Sequence, residues 1–418
     1  MLDIKFIRDN PEKVKEGIAK KQVKVDIDRL LALDEARRGS LQKIESLRAE
    51  QNKLGKPAFA KATAGKEDIV KAQGIKAEIK NLEPALADTE KELNSLMRQL
   101  PNLPLDDVPV GQDGNDNVVL REEGEKPKFD FEPKDYMTIA EKLDLIDVKR
   151  AAKVSGTRFG YLKGEAAMLE IALINLAFDT LIKEGFMPVI PPVVIKTEMM
   201  EKMGYIDTEA DKAERYFLKN GEFVLVGTSE QSIGPMHQDE VLAEKELPKR
   251  YAAFSTCFRE EAGAYGKDTK GILRVHQFDK VEMFSICRPE KSKEEHLFLL
   301  KMEERLMQLL KLPYRVVHLS SGDISRPSAS TFDIETWLPG QGQYRETHSA
   351  SNCTDFQARR LNIRYRSKRG VEFVHTLNGT AFAIGRMLIA IIENYQQKDG
   401  SVKVPKALQK YTWFKKIG

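Results

Sequence analysis

Between residues 75 and 100 apolar positions recur in alternating steps of four and three: Ile75, Ile79, Leu82, Leu86, Leu93, Leu96 and Leu100, with Thr89 in the remaining slot. That is a heptad seam, the pattern of a helix packed lengthwise on another helix. A charged stretch ahead of it carries a partner stripe of Leu30, Leu33, Ile44, Leu47 and Leu54, interrupted by Arg37 and Ser40. Together they predict an antiparallel helical hairpin over residues 26–100. Each helix would be about 40–50 Å long at 1.5 Å per residue. Stripes this narrow cannot sit inside a large core, so the hairpin should project into solvent. The intervening GKPAFAKATAGKED reads as a flexible tip or low-complexity insertion. Pro84 lies inside the better heptad run and removes a helical hydrogen bond, which predicts a kink near Asn81. At the N-terminus, LDIKFI reads as a short strand, and Asn10–Pro11 as an Asx-capped helix start.

Residues 101–135 are rich in Pro, Gly, Asp and Asn without a sustained apolar period, and read as a linker into a body at 136–418. That body opens with a helix and a Gly-rich turn. A long amphipathic helix follows, ending at Gly185 and turning Leu169, Leu173, Leu176 and Phe178 inward. In GFMPVIPPVVI, Pro191 and Pro192 limit pairing and predict an edge strand. Asn220–Gly221 marks a turn between two short strand runs. RPEKSKEEHLFLLKMEERLMQLLKLPYRVVHL reads as a helix and then a strand, and HTLNGTAFAIGRM as a turn at Asn378–Gly379 followed by a helix.

Composition narrows the setting more than the function. The 418 residues, 41% of them hydrophobic, allow at least two domains with substantial cores. A net charge of only +3 means that any nucleic-acid contact must come from a local basic surface. Cys257, Cys287 and Cys353 lack the spacing of a disulfide framework or zinc knuckle. His296 and His318 lack partners at metal spacing, so no zinc is expected and both histidines read as surface or packing residues. No stretch resembles an export signal or a membrane span, which fits a cytoplasmic protein.

The chemistry concentrates in two runs flanking a polar, Gly-rich loop. In AAFSTCFREE, period two puts Phe254, Thr256 and Phe258 on one face and Cys257, Arg259 and Glu261 on the other. In the return run Leu273, Val275, Val281 and Met283 can face a core while Arg274, His276, Phe278, Lys280 and Glu282 share the opposite surface. An aromatic ring beside a guanidinium suits a nucleotide, the ring stacking on a base and the Arg forking onto phosphate. An ordinary solvated hairpin face fits the same residues taken singly. Glu230, just past a strand, can bind an ammonium group or stand in water. Arg386 in an apolar helix needs an anion, from a ligand or from a structural Glu. Arg359, Arg360, Arg364 and Arg366 could meet RNA phosphates, although a solvated or salt-bridged set fits them as well.

Taken whole, FREEAGAYGKDTKGILRVHQFDKVE resembles motif 2 of class II aminoacyl-tRNA synthetases, GFMPVIPPVVI resembles motif 1, and HTLNGTAFAIGRM resembles motif 3. An N-terminal helical hairpin ahead of such a body is the layout of the seryl-tRNA synthetase family, and the likeness runs over essentially the whole chain. It implies an α+β fold: an antiparallel β-sheet catalytic domain flanked by helices, preceded by a tRNA-binding domain (1–100) with a coiled-coil arm. It implies activation of L-serine by ATP with Mg2+, transfer to tRNA(Ser), and a homodimer in which Pro192 lies at the interface. Whether tRNA(Sec) is a second acceptor stays open. By position, the resemblance assigns Thr228, Glu230, Arg259, Glu282, Asn378 and Thr380 to serine. It assigns Arg259, Glu260, Glu261, Val275, Phe278, Glu346, Thr347, His348, Ser349 and Arg386 to ATP, with Arg259 and Arg386 catalytic and Glu346 and Ser349 at the metal. Thr347 and His348 depart from the aliphatic and serine usual there. Glu282 would hold the serine hydroxyl, so that alanine leaves a buried carboxylate unpaired. Two other readings remain: a serine-activating paralogue with a non-tRNA acceptor, and a non-catalytic RNA-binding paralogue.

Overall fold

The N-terminal helices set the first departure from these expectations. In the computed structural model, which describes residues 1–60, 66–264 and 270–418, LDIKFI is not a strand: Ile4–Asp9 is helical. Asp3 decides this, because its side chain accepts from the Lys5 amide at 2.7 Å and caps the turn that buries Ile7. Six residues are too few for periodicity to separate helix from strand. Pro11 does open the next helix, Pro11–Lys20. Asn10 does not cap it, however, because its amide turns back to the Phe6 carbonyl at 3.1 Å.

The hairpin comprises Ile27–Ala60 and Lys66–Gln99. Helix therefore continues through Gly55–Ala60, where the sequence suggested a loose tip; the remainder of that tip, 61–65, lies outside the described residues. Arg29 pairs with Glu92 at 2.8 Å near the base and Lys71 with Glu50 at 2.9 Å near the other end, which makes the helices antiparallel. Ile44, Ile75 and Ile79 are buried between them, with Leu47, Leu54, Leu82 and Leu86 packed alongside. Arg37, which interrupts the stripe, reaches out to Glu90 at 3.0 Å. Met97 joins Leu93 and Leu100 in the buried set, leaving Leu96 half-buried. The helix runs unbroken past Asn81 and through Pro84. Pro84 and Lys80, whose carbonyl loses its donor, are both exposed, so water can take the missing partner's place.

The chain divides into two compact units, Met1–Pro101 and Asn102–Gly418. The segment read as a linker is built into the second. Asn102 donates to the carbonyls of Pro327 and Cys353 at 3.0 and 2.8 Å, and Val108 is buried with Val317, Leu319 and Ile324. Val118–Glu123 is an edge strand antiparallel to Tyr314–His318. It was illegible because every residue in it is exposed; only its backbone is used.

From that edge the sheet continues through Tyr314–His318, Ser330–Leu338, Gln343–Asn352, His375–Ala383, Gln277–Cys287 and Lys249–Phe258 to Met187–Val189. Neighbours are antiparallel except the last pair. Met187–Val189 is the expected edge strand ahead of Pro191 and Pro192. The helices Glu165–Lys183, Ser292–Leu310 and Ile384–Asn394 pack with the sheet in one large core that includes Leu169, Leu173, Leu299, Leu306, Leu388 and Ile391. Phe178 packs against that core partly buried. His296 and His318 are buried against Phe332 and take the packing role.

Asn378–Gly379 is not a turn. Both residues lie in the middle of His375–Ala383, laddered on each side. Gly379 serves packing there, since a Cβ would meet Glu303 Oε1 and Met283 Cε at 3.2 Å each. The close approach of Gly322 to the former linker gives a test of its docking. A Cβ on Gly322 would stand 2.3 Å from the Gln112 carbonyl oxygen. Gly322→Ala should lower unfolding stability by about 1–3 kcal/mol in denaturant titration; unchanged stability would mean that 101–135 does not pack as described.

Candidate active site

Two adjacent strands, Lys249–Phe258 next to the Met187–Val189 edge and Gln277–Cys287 beside it, carry most of the site. In Lys249–Phe258 both faces are covered, with Cys257 buried and Phe254 and Phe258 half-buried. Arg259 follows immediately and is fixed at its backbone, its amide donating to the His276 carbonyl at 2.9 Å and its Nε to the Gly227 carbonyl at 3.2 Å. Its guanidinium lies 5.3 Å from the centre of the Phe278 ring, a cross-strand contact that alternation within either run does not predict. The returning strand is shorter than the sequence suggested. It starts at Gln277, and Leu273–His276 approach it as irregular chain. Arg274 pairs with Glu261 at 2.8 Å, and His276 meets the Tyr216 hydroxyl at 2.9 Å. The loop's residues 265–269 lie outside the described residues.

Phe278, Lys280 and Glu282 do share a face, as the alternation requires. Lys280 and Glu282, both buried, form an ion pair at 2.5 Å. Sequence reasoning placed Lys280 on this surface and gave it no role; its two-residue spacing from Phe278 and Glu282 was the available signal. Glu282 stands directly across from Thr380 on His375–Ala383, and Asn378 lies opposite Ser351.

Two β-bulges complete the convergence. Glu346 and Ser349 are three apart, an odd spacing that would put them on opposite faces of a regular strand. The register slips between Ile334↔His348 and Glu335↔Glu346, so Thr347 is an extra residue and Glu346 and Ser349 face the same cleft. A second slip makes Ala381 extra, just past Thr380. The Thr347 hydroxyl is spent on Thr336 Oγ1 at 2.7 Å. His348 is turned into the core against Phe382, burial pushes its imidazole down to about 3, and it does not line the cleft. Nor does Glu260, which sits against Tyr216. These two positions are not gathered with the rest.

The resulting cleft, about 540 Å³, is lined among others by Thr228, Glu230, Arg259, Glu261, Glu282, Glu346, Ser349, Asn378 and Thr380. It shares residues with a smaller cavity lined by Val275, Phe278, Thr347 and Arg386. Thr228 is buried, and its hydroxyl has no partner among the described residues. Glu230 opens a short helix and accepts from the Tyr205 hydroxyl at 2.5 Å, a partner that no sequence pattern flagged. Burial, and then the Glu282 carboxylate, push the Glu230 carboxyl up to about 7. At the other end Arg386 forms an ion pair with Glu346 at 2.8 Å. Burial acts to raise the Glu346 carboxyl, but the Arg386 and Arg259 charges hold it below the usual range. Arg359 and Arg360 are engaged by Asp355 and Asp207, at 2.6 and 2.8 Å, which favours the salt-bridged reading of that set. Cys257, Cys287 and Cys353 are buried free thiols, and Pro192 is exposed beyond the edge strand.

The profile of the tRNA synthetase class II core domain (G, H, P, S and T) matches residues 216–395, and that of the seryl-tRNA synthetase N-terminal domain matches residues 1–104. The serine–tRNA ligase of Dictyoglomus turgidum is 46% identical over 100% of this chain and 99% of its own, and that of Thermobifida fusca 45% identical over 98% and 97%. Among solved structures, seryl-tRNA synthetase from Pyrococcus horikoshii complexed with ATP superposes with a TM-score of 0.92 at 41% identity, covering 100% of this chain and 99% of that one. The cytoplasmic serine–tRNA ligase of Naegleria fowleri in complex with AMP gives 0.88 at 35% identity, over 100% and 98%. The chain belongs to the seryl-tRNA synthetase family of class II aminoacyl-tRNA synthetases.

Proposed function

We propose that this protein is a serine–tRNA ligase that activates L-serine with ATP to seryl-adenylate and pyrophosphate, then transfers the seryl group to the 3′ end of tRNA(Ser). The observation that carries the reading is one cleft lined by a buried Glu230, Arg259 and Glu346, which meets, through the shared Arg259 and Glu346, the smaller cavity where Arg386 pairs with Glu346. Glu230 and the free Thr228 hydroxyl receive the ammonium end of serine, while Glu282, Asn378 and Thr380 surround its side chain. Phe278 and Val275 take the adenine, Arg259 and Arg386 the phosphates, and Glu261, held by Arg274, borders the nucleotide without meeting its phosphates. The serine carboxylate attacks the α-phosphorus, negative charge builds on the phosphoryl oxygens, and pyrophosphate leaves. Arg259, fixed at Gly227 and His276, is aimed in advance at that charge.

Glu346 and Ser349 offer two hard oxygens on one face, which suits Mg2+ carried in by the nucleotide. The ion would supply positive charge to the phosphates; the chain's own contribution is to keep Glu346 ionised through Arg386. Because Lys280 already neutralises Glu282, alanine would not strand a bare carboxylate there. Selectivity for the hydroxyl then rests on one charge-assisted hydrogen bond, worth about 1.5–3 kcal/mol. The apolar, exposed Met187, Ile190 and Val194 around the edge strand and Pro192 support a second copy of the chain as their cover. Among the described residues no helix is long and apolar enough to cross a membrane.

The first measurement is serine-dependent exchange of pyrophosphate into ATP, expected in the purified protein; folded protein without exchange would remove the assignment. Arg259→Ala should cut exchange by roughly 10²–10³-fold, the usual cost of one preorganised donor, with an unchanged circular-dichroism melt. Replacing 26–100 by a short connection should leave exchange intact and lower kcat/KM for tRNA charging, and equal charging would take the arm out of acceptor recognition. Glu230 links function to pH. Its carboxyl is raised in the folded state, so its contribution to stability is present below the ordinary carboxylate range and is lost as pH rises through about 7. Glu230→Gln should therefore abolish exchange yet stabilise the fold at pH 8 by up to ~3 kcal/mol, with little gain at pH 5. A gain equal at both pH values would show that ionisation of Glu230 is not the cause.

A further inference from the structure

Arg215 lines the same cleft, and neither family motif nor periodicity singled it out. It donates to the Glu214 carbonyl at 3.4 Å, its Nε is buried without a hydrogen-bond partner, and no carboxylate lies within ion-pair distance of it among the described residues. Arg274 and Arg386 differ, each having a carboxylate at 2.8 Å. Arg215 and Arg259 flank Gly227: a Cβ on that glycine would stand 3.2 Å from Arg215 Nη1 and 3.6 Å from Arg259 Cγ. Burial and the like charge of Arg259 both act against the Arg215 guanidinium. Glu214 and Asp211 favour its charge, but neither stands at ion-pair distance among the described residues, so two cations crowded around one backbone position leave a place for an anion.

Position in the cleft says which anion. Arg215 does not line the smaller cavity beside Phe278 and Arg386, so it stands away from the nucleotide's end. Its Cζ lies 5.6 Å from the centre of the Tyr205 ring, whose hydroxyl holds Glu230 at 2.5 Å. An α-amino acid carries its ammonium and carboxylate on one carbon, so the carboxylate of a substrate anchored at Glu230 must come to rest within a few ångströms of it. Glu230 is itself unpaired by any cation at ion-pair distance among the described residues, so the cleft offers a separated acid and base to a zwitterion. We propose that Arg215 is a substrate-binding residue, a second guanidinium beside Arg259 for the α-carboxylate of the amino acid. This rests on the serine-activation reading and deepens it.

The test compares L-serine with L-serinamide, which has a neutral amide in place of the carboxylate, by calorimetric titration of the full-length protein. Arg215→Gln should weaken serine binding about tenfold or more, the loss expected for a hydrogen bond to a charged group. It should leave serinamide binding and the KM for ATP unchanged. Arg215→Lys should fall between, and it takes the place of Arg215→Gln in the same comparison if that variant does not fold. Equal weakening of serine and serinamide would mean a structural role, and unchanged serine affinity would mean no role in binding; either overturns the proposal. Wild-type protein that neither binds serine nor supports exchange would instead remove the underlying reading, before any variant is compared.

Discussion

A strand that carries charge into the middle of a sheet must bring its counter-charge with it, and the Lys280–Glu282 pair does this for Gln277–Cys287. Both side chains are almost wholly buried, where either alone would cost several kcal/mol or change its protonation state. Their placement on one face follows from period two, and the strands on either side fix what stands opposite: Ala253 on one side, Thr380 on the other. A small residue and a hydroxyl at those registers leave room beside the carboxylate. The cleft is thus a gap left in the sheet's surface by short neighbours around a neutralised pair.

Bulges do the remaining alignment. Without the extra residue Thr347, Glu346 and Ser349 would point to opposite faces, and the cleft would lose one of the two. The same slip brings Thr347 and His348 inward in succession, where the Thr347 hydroxyl is met by Thr336. His348 packs into the core, while Thr347 borders the smaller cavity and Glu346 and Ser349 face the cleft. A bulge costs one ladder interaction and here obtains a change of face within a single strand.

Much of this was legible. Heptad spacing gave the hairpin, and alternation gave the shared face of Phe278, Lys280 and Glu282. What stayed hidden has physical reasons. Val118–Glu123 buries no side chain, so no pattern could reveal it. Asn378–Gly379 carries the strongest short turn signal, but ladders on both sides override it, and Gly379 is needed for the close approach of Glu303. Asp3 captured a helix start whose six residues were ambiguous. Tyr205 and Arg215 reach the cleft from segments distant in sequence, and contacts of that kind leave no local period to read.

The charges of the cleft fall into two classes, and the division bears on where the protein gives up stability. Lys280–Glu282, Arg386–Glu346 and Arg274–Glu261 are paired internally and can persist in the empty site at little cost. Glu230, the Thr228 hydroxyl and Arg215 are not, and burial and the Glu282 carboxylate both push the Glu230 carboxyl upward. The unpaired groups cluster at the end opposite Arg386, around Gly227 and Tyr205. A ligand that neutralises several of them at once gains more than the sum of its contacts, because each contact also relieves an existing penalty. On the proposed reading a small zwitterion would answer both charges at once, so the part of the cleft least satisfied when empty would also be the part that separates amino acids from their uncharged analogues.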